Sequence, residues 1–440
     1  MTGELPGLKA GTGQADISPR EPMFLWGYPH VERISTDRHD ALYATALCLD
    51  DGQHCTLSVG VDVLYVDAIC VAECRRRIEV RTGVPPSHVL ISATHTHSGP
   101  VTCDILAMTG DPLVPHPDPA YVEQMIQGIV DAACTAYEAR RPAELAVTTA
   151  QIDGVGGNRL SPDAVRDPEA GLVVVRQRAA GNILAVQLFY AMHPTVMHED
   201  STLVSSDFPA FTRLHIQEAY PGVQTIYHNG TCGNLSPRYH VTGQTFAEAE
   251  RLGRRLGGFI IAAIDALTDA DFRCDVVVGG VSDHAQLPPR TFASVATAAA
   301  DLEEARDAYG RLKVKGAGHG PVRTAQCVVF GAEEVVTMAE AQESGALEPI
   351  QTAHARAEVQ LLRVGDLCIV GLPGECFVEY GLEIKQRASG RAFVTSMANG
   401  ELQGYITTPD ATGYEANLSM FKPEAGAILV DMALNLMQKL

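Results

Sequence analysis

The sequence predicts an α/β fold, a mixed β-sheet with flanking helices, on three observations. Apolar, β-branched runs alternate along the chain with amphipathic stretches of helical period. Gly, Asn and Asp turn signals separate the two kinds of segment. The less common polar residues also cluster just past the carboxyl ends of the expected strands, where open α/β sheets bind their ligands.

Taken in order, "HDALYATALCLDDGQHCTLSVGVDVLYV" places two apolar runs around DDGQ, a hairpin signal. Residues 66 to 82 read as an amphipathic helix stopped by Gly83, and "HVLISATH" follows as a buried strand. A helix is expected near 119 to 140, then strands near 143 to 152 and 170 to 178, and "NILAVQLFYAMH" after the AAGN turn. The next helix, 207 to 219, has Ser206 or Asp207 as its cap and leads to the strand "VQTIYHNG". Further helices are expected at 244 to 267, 295 to 313, 376 to 388 and 423 to 438, with strands near 274 to 281, 355 to 371 and 392 to 397. The glycine-rich "KVKGAGHGPV", 313 to 322, reads as a mobile-loop candidate. Neither an internal repeat nor a low-complexity linker marks a domain boundary.

Composition narrows the function classes. The chain has 440 residues, 46% of them hydrophobic, enough to bury a large core. Its formal net charge of −20 argues against a nucleic-acid partner, which clustered Lys and Arg would hold. The amino terminus shows no basic and apolar signal pattern, and no apolar run reaches the roughly 18 residues of a membrane span, so the expected setting is cytoplasmic. Eleven cysteines, an odd number scattered singly, suit reduced core thiols. Cys70 and Cys74 share a helix face and read as packing. Oligomeric state is not legible.

Five segments end in residues that carry chemistry: His95 and His97 after "HVLISAT", His193 after "AVQLFYAM", Asn229 after "VQTIY", Glu375 after "LCIVGLPG" and Tyr405 after "AFVTSMANG". Two histidines at i and i+2 of an extended segment point to one side. With a third histidine and a carboxylate they form a borderline donor set suited to Zn2+. Read this way, both His95 and His97 are ligands. Each residue also has a bland reading, His193 as a core histidine and Glu375 as a helix-terminal charge. In "SSDF", Asp207 either orients His193 or caps a helix, "HED" at 198 to 200 is a solvated loop or a second metal site, and the glutamate runs near 303 and 333 belong to exposed faces.

The chain resembles the neutral ceramidase family over roughly residues 10 to 415. The resemblance rests on "GTGQADISP", "ISATHTHSGP", "GVGGNR", "FYAMHPTVM", "NGTCGNLSPR", "LPGECFVE" and "NGELQGYITTPDATGYE", which occur in the family's order. It implies a single catalytic domain over 1–440, with lobes of roughly 1–268 and 269–440, and a zinc-dependent amidase that cleaves an N-acyl bond by attack of zinc-bound water. His95, His193, Glu375 and Tyr405 would be the metal ligands. His97 would face the substrate, where it could stabilise the developing alkoxide and pass a proton to the leaving amine. Arg159, Ser236 and Tyr414 would line the reacting centre with Gly27.

Departures from the family pattern bear on the substrate. No carboxy-terminal sandwich domain follows the "GYE" motif, the stretch after "THTHSGP" lacks the expected glycine-rich continuation, and Asn234 stands where an acidic residue is usual. A small soluble acyl amide is therefore expected rather than ceramide. Two other readings stand beside this one. Ser236 could serve as the nucleophile of an esterase or acyltransferase, although "GNLSPR" is not the GxSxG elbow and a proline follows the serine. The scaffold could also bind a metal or ligand without turnover.

Overall fold

The computed structural model describes residues 7–28 and 30–440, the side chains of 319–321 excepted. The stretch read for a leader therefore begins outside the described residues.

The chain opens with β1 (Lys9–Asp16), β2 (Tyr43–Asp50) and β3 (Cys55–Val61), followed by α1 (Ala68–Thr82) and β4 (Val89–Ala93). Next come α2 (Pro119–Glu138), β5 (Arg141–Gln151), β6 (Glu169–Gln177), β7 (Ile183–Tyr190), α3 (Phe208–Ala219) and β8 (Gln224–Asn229). These eight strands form one sheet in the order β8-β7-β6-β5-β1-β2-β3-β4. Its interior pairs are antiparallel, and the outermost pair at each edge, β3 with β4 and β7 with β8, is parallel. Parallel neighbours need a crossover, supplied here by α1 and α3.

After α4 (Phe246–Asp265) a second sheet begins with β9 (Val278–Gln286). Three helices follow, α5 (Val295–Val314), α6 (His319–Ser344) and α7 (Leu347–His354), before β10 (Arg356–Val364) and β11 (Leu367–Gly371). Helix α8 (Val378–Arg387) then crosses to β12 (Arg391–Thr395), parallel to β11, and α9 (Tyr414–Leu418) and α10 (Glu424–Met437) end the chain. The second sheet runs β9-β10-β11-β12. Leu47, Val173, Phe189 and Ile226 of the large sheet share one buried cluster with Leu362, Ile369 and Phe393 of the small one, so the sheets pack face to face.

Local sequence explains most of these elements. Asp67 caps α1 by accepting from the Cys70 N–H at 2.6 Å, and Gly83 closes it in the left-handed conformation. Asp118 caps α2, which has proline at its first position. Asp207, not Ser206, caps α3. All eleven cysteines are free, in accord with reduced core thiols, and Cys70 and Cys74 are buried in the packing of α1. No described helix is long and apolar enough to cross a membrane.

Three expectations need correction. The run 355 to 371 divides into β10 and β11, because Gly365 takes φ 62° and turns the chain between them. The loop candidate 313 to 322 shrinks to a link between α5 and α6, and the backbone of 319–322 is the first turn of the 26-residue α6. The glutamates near 333 do not share one exposed face. Glu333 meets His30 and Arg306 near the surface, whereas Glu334 turns inward and is 5% exposed.

His228 joins three strands of the large sheet. Its Nδ1 lies 2.7 Å from Ser92 Oγ of β4 and its Nε2 lies 3.1 Å from Gln187 Nε2 of β7. Burial lowers its pKa to about 3. Because that value is below the unfolded one, the unfolded state takes up the proton first as pH falls. Its contribution is complete above about pH 6.5 and is lost at up to ~1.4 kcal/mol per pH unit below it. A melting series from pH 7.5 to 5 should show falling stability, and His228→Gln should flatten that slope; an unchanged slope would contradict the assignment.

Candidate metal centre

All three parallel crossovers deliver residues to one place. His95 and His97 lie beyond β4, His193 beyond β7, and Glu375 beyond β11, while Tyr405 lies beyond β12. Asn229, the last residue of β8, joins two of these ends. Its Nδ2 donates to Thr94 O at 3.0 Å and its Oδ1 accepts from Met192 N–H at 3.0 Å, one residue short of each histidine. A two-residue parallel ladder sets Glu375 directly beside Tyr405. The expected convergence is present.

The two histidines of "THTH" converge for a different reason from the one alternation suggests. The strand ends at Ala93, and His95 adopts φ 69°, so the segment is not extended there. Each ring is instead anchored separately. His95 Nδ1 donates to Leu64 O at 2.9 Å, and His97 Nδ1 donates to Gly27 O at 2.9 Å. The rings meet edge-on, 5.0 Å between centroids. His193 Nδ1 likewise donates to Cys232 O at 2.8 Å, which makes Asp207 a helix cap rather than its partner.

These bonds set the tautomers. With Nδ1 protonated on all three rings, each Nε2 carries a lone pair. The Nε2 atoms of His95 and His97 are buried without a hydrogen-bond partner. Glu375 Oε2 lies 3.3 Å from His95 Nε2 and 3.1 Å from His193 Nε2, so acceptors face acceptors. A cation among them would resolve that conflict. The ring nitrogens of His95, His97 and His193 lie within 4.8 Å of one another, and they are the one such group among the described residues able to hold a metal ion. The donor set of imidazole nitrogens and a carboxylate fits such an ion.

Charge is distributed to match. Burial would raise the carboxyl of Glu375, but His95 and His193 outweigh it and hold the group well below the usual carboxylate range. Burial lowers His193 to about 4, helped by the nearby Arg159 guanidinium. Burial, then the neighbouring His95 and His193 rings, hold His97 well below the ordinary histidine value. The Tyr405 phenol is raised by burial, while Arg159, whose NH2 donates to its Oη at 3.0 Å, acts in the opposite direction. Arg159 is itself held by Glu415 at 2.7 Å.

The remaining expected residues surround this group unequally. Tyr414 stands at the start of α9 with its ring against Tyr405, centroids 6.1 Å apart. Gly27 has φ 115°, and a Cβ there would come within 2.4 Å of His97 Nδ1, so glycine alone permits the carbonyl to hold that ring. Ser236 is less central. It pairs with Gly157, and its Oγ accepts from the Arg238 N–H at 3.2 Å, with no imidazole or carboxylate hydrogen-bonded to it among the described residues. Asn234, the unexpected residue in that motif, donates to Glu379 and accepts from the Val378 N–H at the start of α8. In "HED", Glu199 pairs with His198 and Arg323.

Tyr65 was not anticipated. Its hydroxyl donates to Glu375 Oε1, which leaves Oε2 for the histidines. The signal was available, since Tyr65 follows the carboxyl end of β3, itself one of the parallel strands. A small pocket opens over the group, lined by Gly27, Tyr65, His95, His97, Glu375, Tyr405 and Tyr414 from the elements above, and by Ile105, Met108, Glu334 and Gln403.

Comparison with known proteins agrees with this architecture. Residues 8–238 match the family described as neutral/alkaline non-lysosomal ceramidase, N-terminal. The chain belongs to that family. It is 23% identical to a neutral ceramidase of Pseudomonas aeruginosa, an alignment covering 99% of this chain and 73% of the relative. A neutral ceramidase of Drosophila melanogaster is 24% identical over 48% of this chain and 32% of its own length. The crystal structure of neutral ceramidase from Pseudomonas aeruginosa superposes over 100% of this chain and 75% of that one, with TM-score 0.76 and 20% identity. A second structure, a ceramidase complexed with C2, gives TM-score 0.75 at 19% identity. At such identities the structural likeness establishes the ceramidase fold.

Proposed function

We propose that this chain is a zinc-dependent hydrolase that cleaves an N-acyl amide, with residues 1–440 acting as one catalytic unit. The observation that carries the reading is the set of Nδ1 bonds to backbone carbonyls, which brings three imidazole lone pairs together, those of His95 and His193 against the Glu375 carboxylate. His95, His193 and Glu375, with Tyr405 beside them, would hold the metal. Glu375 Oε2 contacts His95 and His193 but not His97, which favours His97 for another task. When bound, zinc supplies a Lewis acid for the acyl carbonyl and lowers the pKa of a water to about 7.

The protein's own groups handle orientation and protons. His97 is neutral and offers an Nε2 lone pair, so it would accept the proton released by the attacking water and return it to the departing amine. Its role as a donor to the reacting oxygen follows only after that uptake. Arg159 fixes the Tyr405 hydroxyl, and Tyr65 fixes the second Glu375 oxygen. The Gly27 carbonyl fixes the His97 ring through Nδ1. Among the described residues no base is hydrogen-bonded to Ser236, which favours the metal reading over a serine nucleophile.

The substrate we propose is a small acyl amide rather than ceramide, because polar groups, including two carboxyls, line the pocket beside its apolar wall. Eleven free thiols suit a reducing, cytoplasmic setting. A panel of N-acyl amides from short soluble compounds to ceramide tests this reading. Turnover should favour the short members, cease on exhaustive chelation and return with added zinc. Turnover that survives removal of all metal would contradict the mechanism, and ligand binding without any turnover would indicate a binding protein.

A further inference from the structure

Glu334 occupies an unusual position for a carboxyl. It lies on α6, whose Gly331 packs against Tyr414, and it lines the same pocket as His97 and Glu375. The residue is 5% exposed, and both carboxyl oxygens are buried without a hydrogen-bond partner among the described residues. Its neighbour Glu333 takes the outward contacts to His30 and Arg306. Arg159, the cation nearest the metal centre's residues in the contacts above, is engaged by Glu415 and Tyr405 and does not reach Glu334. Among the described residues, no Lys or Arg lines the pocket.

Such a group is costly to bury and gains nothing from the protein around it. Burial, with Glu333, Asp111 and Glu375 adding in the same sense, raises its pKa well above the usual carboxylate range. A ligand bearing positive charge would supply both the missing donors and the missing counter-charge. An ammonium has three N–H donors for two waiting oxygens. Tyr65, Tyr405 and Tyr414 line the same pocket, and aromatic side chains are compatible with a bound cation. The net charge of −20 raises the local concentration of cationic ligands.

We infer that Glu334 is a specificity-determining residue that receives a primary ammonium group on the substrate, so that the preferred substrates are N-acyl amides carrying a second, basic amine. The inference rests on the acyl-amide reading of the neighbouring metal centre. It goes beyond that reading by naming the charge of the substrate.

Binding rather than turnover tests it. Two ketomethylene isosteres of one acyl amide, which cannot be hydrolysed, would be compared by calorimetry on the zinc-loaded protein; one ends in a primary ammonium and the other in a methyl group. Wild-type protein should bind the ammonium compound at least about 10-fold more tightly. Glu334→Gln, which keeps the shape, should weaken that compound by about 10- to 100-fold and leave the methyl compound within about 2-fold. Equal affinities in the wild type, no binding of either compound, or a preference retained in the variant would overturn the inference. Should Glu334→Gln fail to fold, Glu334→Met and the wild-type comparison still decide it. An ammonium preference without amide turnover would keep Glu334 as an ammonium site and remove the hydrolase reading, with the substrate class that rests on it. Turnover of neutral amides without that preference would do the reverse.

Discussion

His193→Ala should lose bound metal and turnover together. The ring is fully buried, donates from Nδ1 to Cys232 O, and brings Nε2 to 3.1 Å from Glu375 Oε2. Removing it takes away one of the proposed ligands. Supporting groups around metal ligands commonly change affinity by about 10- to 100-fold, and loss of a ligand itself should exceed that range. The unpaired Cys232 carbonyl adds a stability loss of about 1–3 kcal/mol. Elemental mass spectrometry of the purified variant, beside a turnover assay and a melting curve, reads all three effects. A folded variant that retains stoichiometric metal would contradict the ligand assignment.

His97→Ala should behave differently, keeping its metal while kcat falls by about 10²- to 10⁴-fold, the usual contribution of a positioned acid–base group. The distinction rests on two contacts. Glu375 Oε2 gathers His95 and His193, whereas His97 is tied to Gly27 and leaves Nε2 unpartnered over the pocket. His97 nevertheless stands within 4.8 Å of both other ring nitrogens, close enough to share the ion. Equal metal loss in the His97 and His193 variants would make His97 a ligand and move the proton transfer to another group. Metal retention with unchanged kcat would deny His97 any part in the chemistry.

Much of this arrangement was legible in the sequence, for identifiable physical reasons. Helices with strong caps, such as α1 between Asp67 and Gly83, announce both ends. The rule that ligands gather beyond the carboxyl ends of parallel strands brought His95, His193, Glu375 and Tyr405 together before any contact was visible. The same rule, applied once more, finds Tyr65. What it does not supply is orientation. The left-handed turn at His95 and the close approach of Gly27 to His97 depend on residues far away in the chain, so strand alternation gave the right neighbours for the wrong reason. Helix α6 escaped notice because its opening, "GHGPV", carries glycine and proline that ordinarily punctuate loops. With that helix unseen, nothing distinguished the buried Glu334 from the paired Glu333 beside it.

The metal content of the purified chain tests the central claim most directly, measured by elemental mass spectrometry before any metal or chelator is added. About one zinc per chain is expected, held through gel filtration and displaced only by a strong chelator. A protein free of metal that takes up none from supplied zinc would contradict the claim, leaving the His95 and His193 lone pairs facing the Glu375 carboxylate with no ion to reconcile them.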